Sequence, residues 1–234
     1  QARRGQFFVI GTEGPSRLWL WGDSHAMAII PELQKLARQY KCRVTVATHS
    51  GAVPLLDYPS PDVCPLGDSM PEWNRLVMDH LLRQDPRPTV LLACRWSYQP
   101  KPELGPALEK TLLALQPSER SRDLMLLSEV PVYPFDPRKA LLRARLFAQP
   151  SDDLGLTRTE YLAQNELIVA LAQPLAQQRL KILDPTECFF AGRQRARVEL
   201  DGLSCYWDDN HLSPQGATLL SPLLDPLVAG AVAR

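Results

Sequence analysis

Two stretches of this 234-residue chain hold side chains whose types and spacing suit acyl chemistry. The first is Gly22-Asp23-Ser24-His25, which follows a short apolar run, Arg17–Gly22, that ends in glycine. A serine at a strand-to-helix turn presents its hydroxyl at the edge of a sheet. Its backbone N–H sits at a helix N-terminus, where negative charge is favoured. A nucleophile and part of an oxyanion hole can be built there. Read alone, the same residues suit a plain helix cap, with Asp23 or Ser24 as the capping side chain. The second stretch is Trp207-Asp208-Asp209-Asn210-His211-Leu212-Ser213. An aspartate three residues before a histidine can orient the imidazole, which then serves as general base toward a serine from elsewhere. Such a pair often arises by chance, but with the strand-end serine, in the order Ser24, Asp208, His211, it points to a catalytic triad.

These residues need elements to hold them. The runs at 17–22, 43–48, 89–94, 123–128 and 180–183 predict strands, several buried on both faces. Apolar spacing predicts helices over 24–40, 76–83, 103–115, 157–178 and 214–232. Strands alternating with helices imply an α/β fold, a central parallel sheet sandwiched by helices. Ligands then bind at the C-terminal ends of the strands, here Gly22–His25, Thr48–Gly51, Arg95–Tyr98 and Glu129–Pro131. Residues 1–16 read as an N-terminal linker and 17–234 as one domain. The segments 50–72 and 131–156, rich in proline, read as long loops on that core.

Bulk properties exclude several functions. Lys plus Arg and Asp plus Glu are 26 each, so no long-range field favours nucleic acid or an anionic membrane. The run Arg193–Arg197 reads as a solvated loop. No stretch of about 18 apolar residues spans a bilayer. The polar segment Gln1–Gln6 is no intact signal peptide, and the missing initiator Met suggests a piece of a longer protein. Of five cysteines, Cys42 and Cys94 read as buried apolar groups. Cys188 and Cys205 flank a polar loop that a disulfide would close, in an oxidising compartment. No Cys/His spacing suits a structural zinc site, and a triad that supplies the chemistry by itself needs no metal or organic cofactor. His49 and His80 are assigned no role. His25 is expected to support the site from behind or to face solvent, and Asp209 and Asn210 to make loop hydrogen bonds. Trp19, Trp21 and Trp73 read as core.

The first and second stretches resemble the nucleophile block and the final block of the SGNH hydrolases, the GDSL esterases and their relatives. More narrowly, Trp21–His25, Arg95–Tyr98 and Asp209–Ser213 resemble the SGNH domain fused to the bacterial membrane acyltransferases that O-acetylate surface glycans. The resemblance implies a three-layer, flavodoxin-like α/β/α sandwich, with Ser24 as nucleophile, His211 as base and Asp208 as its orienting partner. It implies an oxyanion hole from the N–H groups of Ser24 and Gly51. Where the family's third block carries an asparagine, this chain has Cys94-Arg95-Trp96-Ser97, so the charged N–H groups of Arg95 or the indole N–H of Trp96 are the candidates for third donor, with an ion pair to a loop carboxylate as the other reading of Arg95. Trp96 and Trp207 flank the site and are candidates to stack on a sugar. The implied partners are a membrane acyltransferase domain as acyl donor and a glycan acceptor such as lipopolysaccharide O-antigen. The implied place is the periplasm, tethered to the inner membrane. A stand-alone secreted carbohydrate or lipid esterase is the second reading, and a non-catalytic glycan-binding module with a relict triad the third.

Overall fold

Runs that are apolar at nearly every position must be covered on both faces, and here a six-stranded sheet is covered so. In this computed structural model, which describes residues 7–99, 101–116, 123–176 and 180–233, the strands are β1 (Phe8–Gly11), β2 (Ser16–Gly22), β3 (Arg43–Thr48), β4 (Thr89–Ala93), β5 (Leu124–Leu127) and β6 (Leu180–Leu183). Their order is β1-β3-β2-β4-β5-β6, with β2 to β6 parallel and β1 antiparallel at the edge. The parallel part has the flavodoxin-like order 2-1-3-4-5, whose direction of winding reverses beside β2. In sheets of this order the ligand site lies at the C-terminal ends of the strands beside that reversal, here β2 and β4.

Helices α1 (Ser24–Ala28) and α2 (Ile30–Gln39) follow β2, α3 (Met70–Leu82) follows β3, and α4 (Lys101–Leu115) follows β4. Helices α5 (Pro137–Leu146) and α6 (Arg158–Ala176) lie between β5 and β6. After β6 come α7 (Thr186–Phe190), a small hairpin of β7 (Glu199–Leu200) and β8 (Leu203–Ser204), then α8 (Pro214–Ala217) and α9 (Ser221–Val232). Alternation along β2 sends Leu18 and Leu20 to one face and Trp19 and Trp21 to the other. The leucines pack with Leu33 and Leu36 of α2 and Leu224 and Val228 of α9. The tryptophans pack with Val77 of α3, Leu108 of α4 and Ile168 of α6. These two cores make the three layers.

Several expectations are corrected. Residues 8–11, read as linker, form the edge strand β1; only Ile10 of it is buried, so its apolar alternation is weak. Residues 1–6 of that linker, and 177–178 of the predicted helix 157–178, lie outside the described residues. The predicted helix 24–40 divides at Ile29, because Pro31 has no N–H to continue the ladder. Pro222 divides 214–232 in the same way. The segment 131–156 contains α5, capped by Asp136, whose carboxylate accepts from the Lys139 N–H. All five cysteines are free thiols. Cys188 and Cys205 do not bridge; both pack into the apolar core on the α2 side of the sheet. Burial pushes their pKa values up, to about 11 and about 12, and holds them protonated.

Candidate active site

Strand β2 ends at Gly22, where any Cβ would meet the carbonyl oxygen of Ala93 at 1.8 Å. The missing side chain lets β2 and β4 close up just before the turn. Asp23 then caps α1, its Oδ1 accepting from the His25 N–H at 2.8 Å. Its Oδ2 accepts from the Arg95 N–H at 3.0 Å and from the Cys94 thiol at 3.2 Å. One buried carboxylate thus ties the ends of two neighbouring strands together and sets the turn that carries Ser24. Ser24 is the first residue of α1, so its N–H has no partner within the helix.

The loop from 205 to 213 brings the second group of residues in. The N–H of Trp207 donates to the His211 carbonyl at 2.9 Å, and that of Ser213 to the Cys205 carbonyl at 2.9 Å, so the loop closes on itself. Within it, Asp208 Oδ1 accepts from the backbone N–H groups of Asn210 and His211 at 3.0 and 2.7 Å. Oδ2 lies 2.7 Å from His211 Nδ1. Burial works against the Asp208 carboxylate, but the two N–H donors and the His211 ring hold its pKa below the ordinary value. A carboxylate can only accept, so Nδ1 carries the proton and Nε2 is left as acceptor. Nε2 lies 2.7 Å from Ser24 Oγ, across 187 residues of sequence. Ser24, His211 and Asp208 are therefore joined in one hydrogen-bonded line at the winding reversal of the sheet.

The other candidates are distributed unevenly. Gly51 lies just past β3 at φ +69°, and a Cβ there would meet Cys64 Cα at 2.9 Å, so only glycine suits this turn. Arg95 follows β4, with its guanidinium carbon 5.2 Å from the centre of the Tyr98 ring. Trp207 is 54% exposed and lines a groove with Leu203 and Gln215. Trp96 is a correction: it is 1% exposed and its indole N–H donates to the Leu127 carbonyl at 2.8 Å. It is a core residue, free neither to stack on a sugar nor to donate to an oxyanion. Asn210 and Asp209 bond within the loop, as expected, at 2.8 Å.

Two further groups lie beside the line. His25 is buried, its ring centre 5.0 Å from that of His211. Glu129, just beyond β5, is buried and accepts from the N–H and hydroxyl of Ser97 at 2.7 and 3.0 Å. His25, Cys94 and Glu129 line one small cavity. Glu129 opens one of the strand ends at which such a sheet places its site, but nothing in its sequence neighbours assigns it a role. Burial lowers the His25 pKa from 6.5 to about 4, aided by the charges of His211 and Arg95 and opposed by Asp23 and Asp208. Burial raises that of Glu129 from 4.5 to about 7, against the Ser97 hydrogen bonds and the charge of Arg95.

Both shifts link stability to pH. The depressed His25 contributes fully above pH 6.5 and loses its contribution as pH falls through 4. The raised Glu129 contributes fully below pH 4.5 and loses its contribution as pH rises through 7. Each is worth on the order of 3 kcal/mol, and between them the slopes oppose. We expect a level Tm from pH 4.5 to 6.5 in the native chain. In Glu129→Gln, Tm should fall toward acid; in His25→Asn, it should fall toward neutrality. Melts across this range check the expectation, and parallel profiles in the two variants would contradict it.

A sheet of this winding order, with serine after its first parallel strand and the Asp–His loop ahead of its closing helices, is the fold of the SGNH hydrolases and acyltransferases. The sequence model of the SGNH domains fused to AT3 domains matches residues 2–226. The chain belongs to that family. Its fold is similar to the periplasmic domain of a lipopolysaccharide acetyltransferase from Salmonella ser. Paratyphi A, at a TM-score of 0.74 and 16% identity over 93% of this chain and 85% of that one. A Streptococcus pneumonia protein assigned as a platelet activating factor is similar at 0.53 and 18%, over 92% and 85%. A Bacteroides ovatus protein assigned as a GDSL-like lipase is similar at 0.55 and 11%, over 94% and 55%. No curated protein matches the sequence. Among the described residues no helix is long and apolar enough to cross a membrane.

Proposed function

We propose that this chain is the periplasmic domain of an O-acyltransferase, moving an acetyl group through an acyl-serine to a hydroxyl of a surface glycan such as lipopolysaccharide O-antigen. The observation that carries this reading is the Ser24–His211–Asp208 line, with both its side-chain contacts at 2.7 Å. Ser24 Oγ attacks the acyl carbonyl while its proton passes to His211 Nε2. Asp208 steadies the imidazolium that forms. The N–H groups of Ser24 and Gly51, with Arg95 as the charged third donor, hold the oxyanion. Collapse of the tetrahedral intermediate breaks the bond to the donor, and His211 returns the proton to the leaving oxygen. A sugar hydroxyl, deprotonated by His211, then attacks the acyl-serine and frees Ser24. Water in place of the sugar gives hydrolysis, so acceptor positioning decides the outcome. Trp207, exposed one residue before Asp208, offers a face on which a sugar ring can stack. The acyl donor is delivered by a membrane acyltransferase partner domain of the kind the family name records.

In cells producing this chain joined to its membrane domain, alkaline release of acetate from the purified glycan measures the activity. Ser24→Ala should lower released acetate to the level of cells lacking the protein. Unchanged acetylation by that variant overturns the transferase reading. Acetate absent even with the native chain, alongside rapid turnover of simple acetyl esters, supports the esterase reading instead.

A further inference from the structure

Helix α5 has a buried and an exposed side. Pro137, Leu141 and Ala144 face the core. At about 100° per residue, Leu142 and Leu146 centre the outward stripe. Arg138 and Arg145 flank it on one side, Lys139 and Arg143 on the other. Leu142 is 61% exposed, Leu146 74% and the following Phe147 67%. Leu203 of the adjoining hairpin, 58% exposed, lines the same groove as Leu142. Large apolar side chains gathered on a surface mark a contact site. The helix itself carries four cations and no acid. Two carboxylates answer them: Asp136 lies 3.4 Å from Lys139 and 3.9 Å from Arg138, and Glu199 lies 3.1 Å from Arg145. Among the described residues no carboxylate pairs with Arg143.

We infer that the outward face of α5, with Leu203, docks on a bilayer containing anionic phospholipid. An apolar row bordered on both sides by long cationic side chains matches such a surface. Leucine and phenylalanine enter the acyl region, while Arg and Lys stems reach up to the phosphates. With the exposed Asp201 of the hairpin counted, the four cations of α5 meet three carboxylates, and the excess that remains lies on the Arg143 side, where it is complementary to anionic headgroups. A protein partner would need an apolar ridge between two acidic rows, whereas a bilayer supplies that order everywhere. The face is continuous with the site, because Trp207 lines the same groove and precedes Asp208. A domain whose family is joined to membrane acyltransferases would thus rest with its site beside the membrane. The inference is independent of the acyl-transfer reading, since vesicle binding needs neither Ser24 nor an acceptor.

Flotation of the full chain with phosphatidylcholine vesicles, with and without phosphatidylglycerol, tests it. The chain should float with phosphatidylglycerol vesicles and stay behind with phosphatidylcholine alone. Arg143→Glu should weaken partitioning about tenfold, and Leu142→Glu with Leu146→Glu should abolish it. Leu82→Glu, an exposed position on α3, should leave it intact. All variants should keep the native melting temperature and hydrolysis of p-nitrophenyl acetate. No flotation, equal flotation with neutral vesicles, or flotation undisturbed by the α5 variants overturns the inference.

Discussion

Replacing Ser24 with alanine should lower p-nitrophenyl acetate turnover by the purified chain by about 10⁴-fold or more. The native chain, quenched during turnover, should gain the mass of one acetyl group, and the variant should not. The size of the effect follows from what is removed. Without Oγ no acyl–enzyme bond can form, and the polarised ring of His211 can act only on water. The melting temperature should hardly move, because Ser24 is part-exposed and its side chain's bond is to the part-exposed His211. Equal rates and equal masses in the two proteins would show that Ser24 is not the nucleophile. The glycan-binding reading would then be the one to test, by sugar binding that survives the same substitution.

Asp208→Asn should be nearly as damaging, lowering kcat/KM by about 10³- to 10⁴-fold. Oδ1 of Asp208 takes two backbone N–H groups, and both can be kept only by the amide oxygen of asparagine. The amide NH2 must then face His211 Nδ1, where the carboxylate now accepts. Two donors cannot share that contact, so the imidazole gives up its Nδ1 proton and carries it on Nε2. In that tautomer it faces Ser24 with a proton already in place and cannot act as base. The loop keeps its shape, so Tm should change little while the rate collapses. A loss of less than about tenfold would remove Asp208 from the orienting role.

The parts of the site that were legible in the sequence are those whose neighbours are local. Asp208 and His211 are three residues apart and share one loop, so their pairing follows from spacing. Ser24 follows an apolar run that ends in glycine, so its turn follows from the pattern. The buried strands β4 and β5 are short and continuously apolar, and their reading holds to within a residue or two. Where an element has little amphipathic signal, reading fails. Helix α5 has leucines on its outer face and arginines throughout, so its segment looks like loop. The edge strand β1 has one buried residue. Trp96 illustrates the opposite failure: a tryptophan beside a site looks like a binding residue until its burial is known.

By itself the sequence determined the alternation of strands and helices, and hence the covered sheet. It also determined which side chains stand at strand ends, because these depend on periodicity and on turn-forming residues close in the chain. The tertiary structure decided which strand ends meet. Asp23 reaches Arg95 and Cys94 because β2 and β4 are neighbours, and His25, Cys94 and Glu129 line one cavity because β5 lies next to β4. It also decided that His211 reaches Ser24, and that Trp96 turns inward while Trp207 remains outside. Strand order and burial arise from packing between distant segments, which no local pattern encodes.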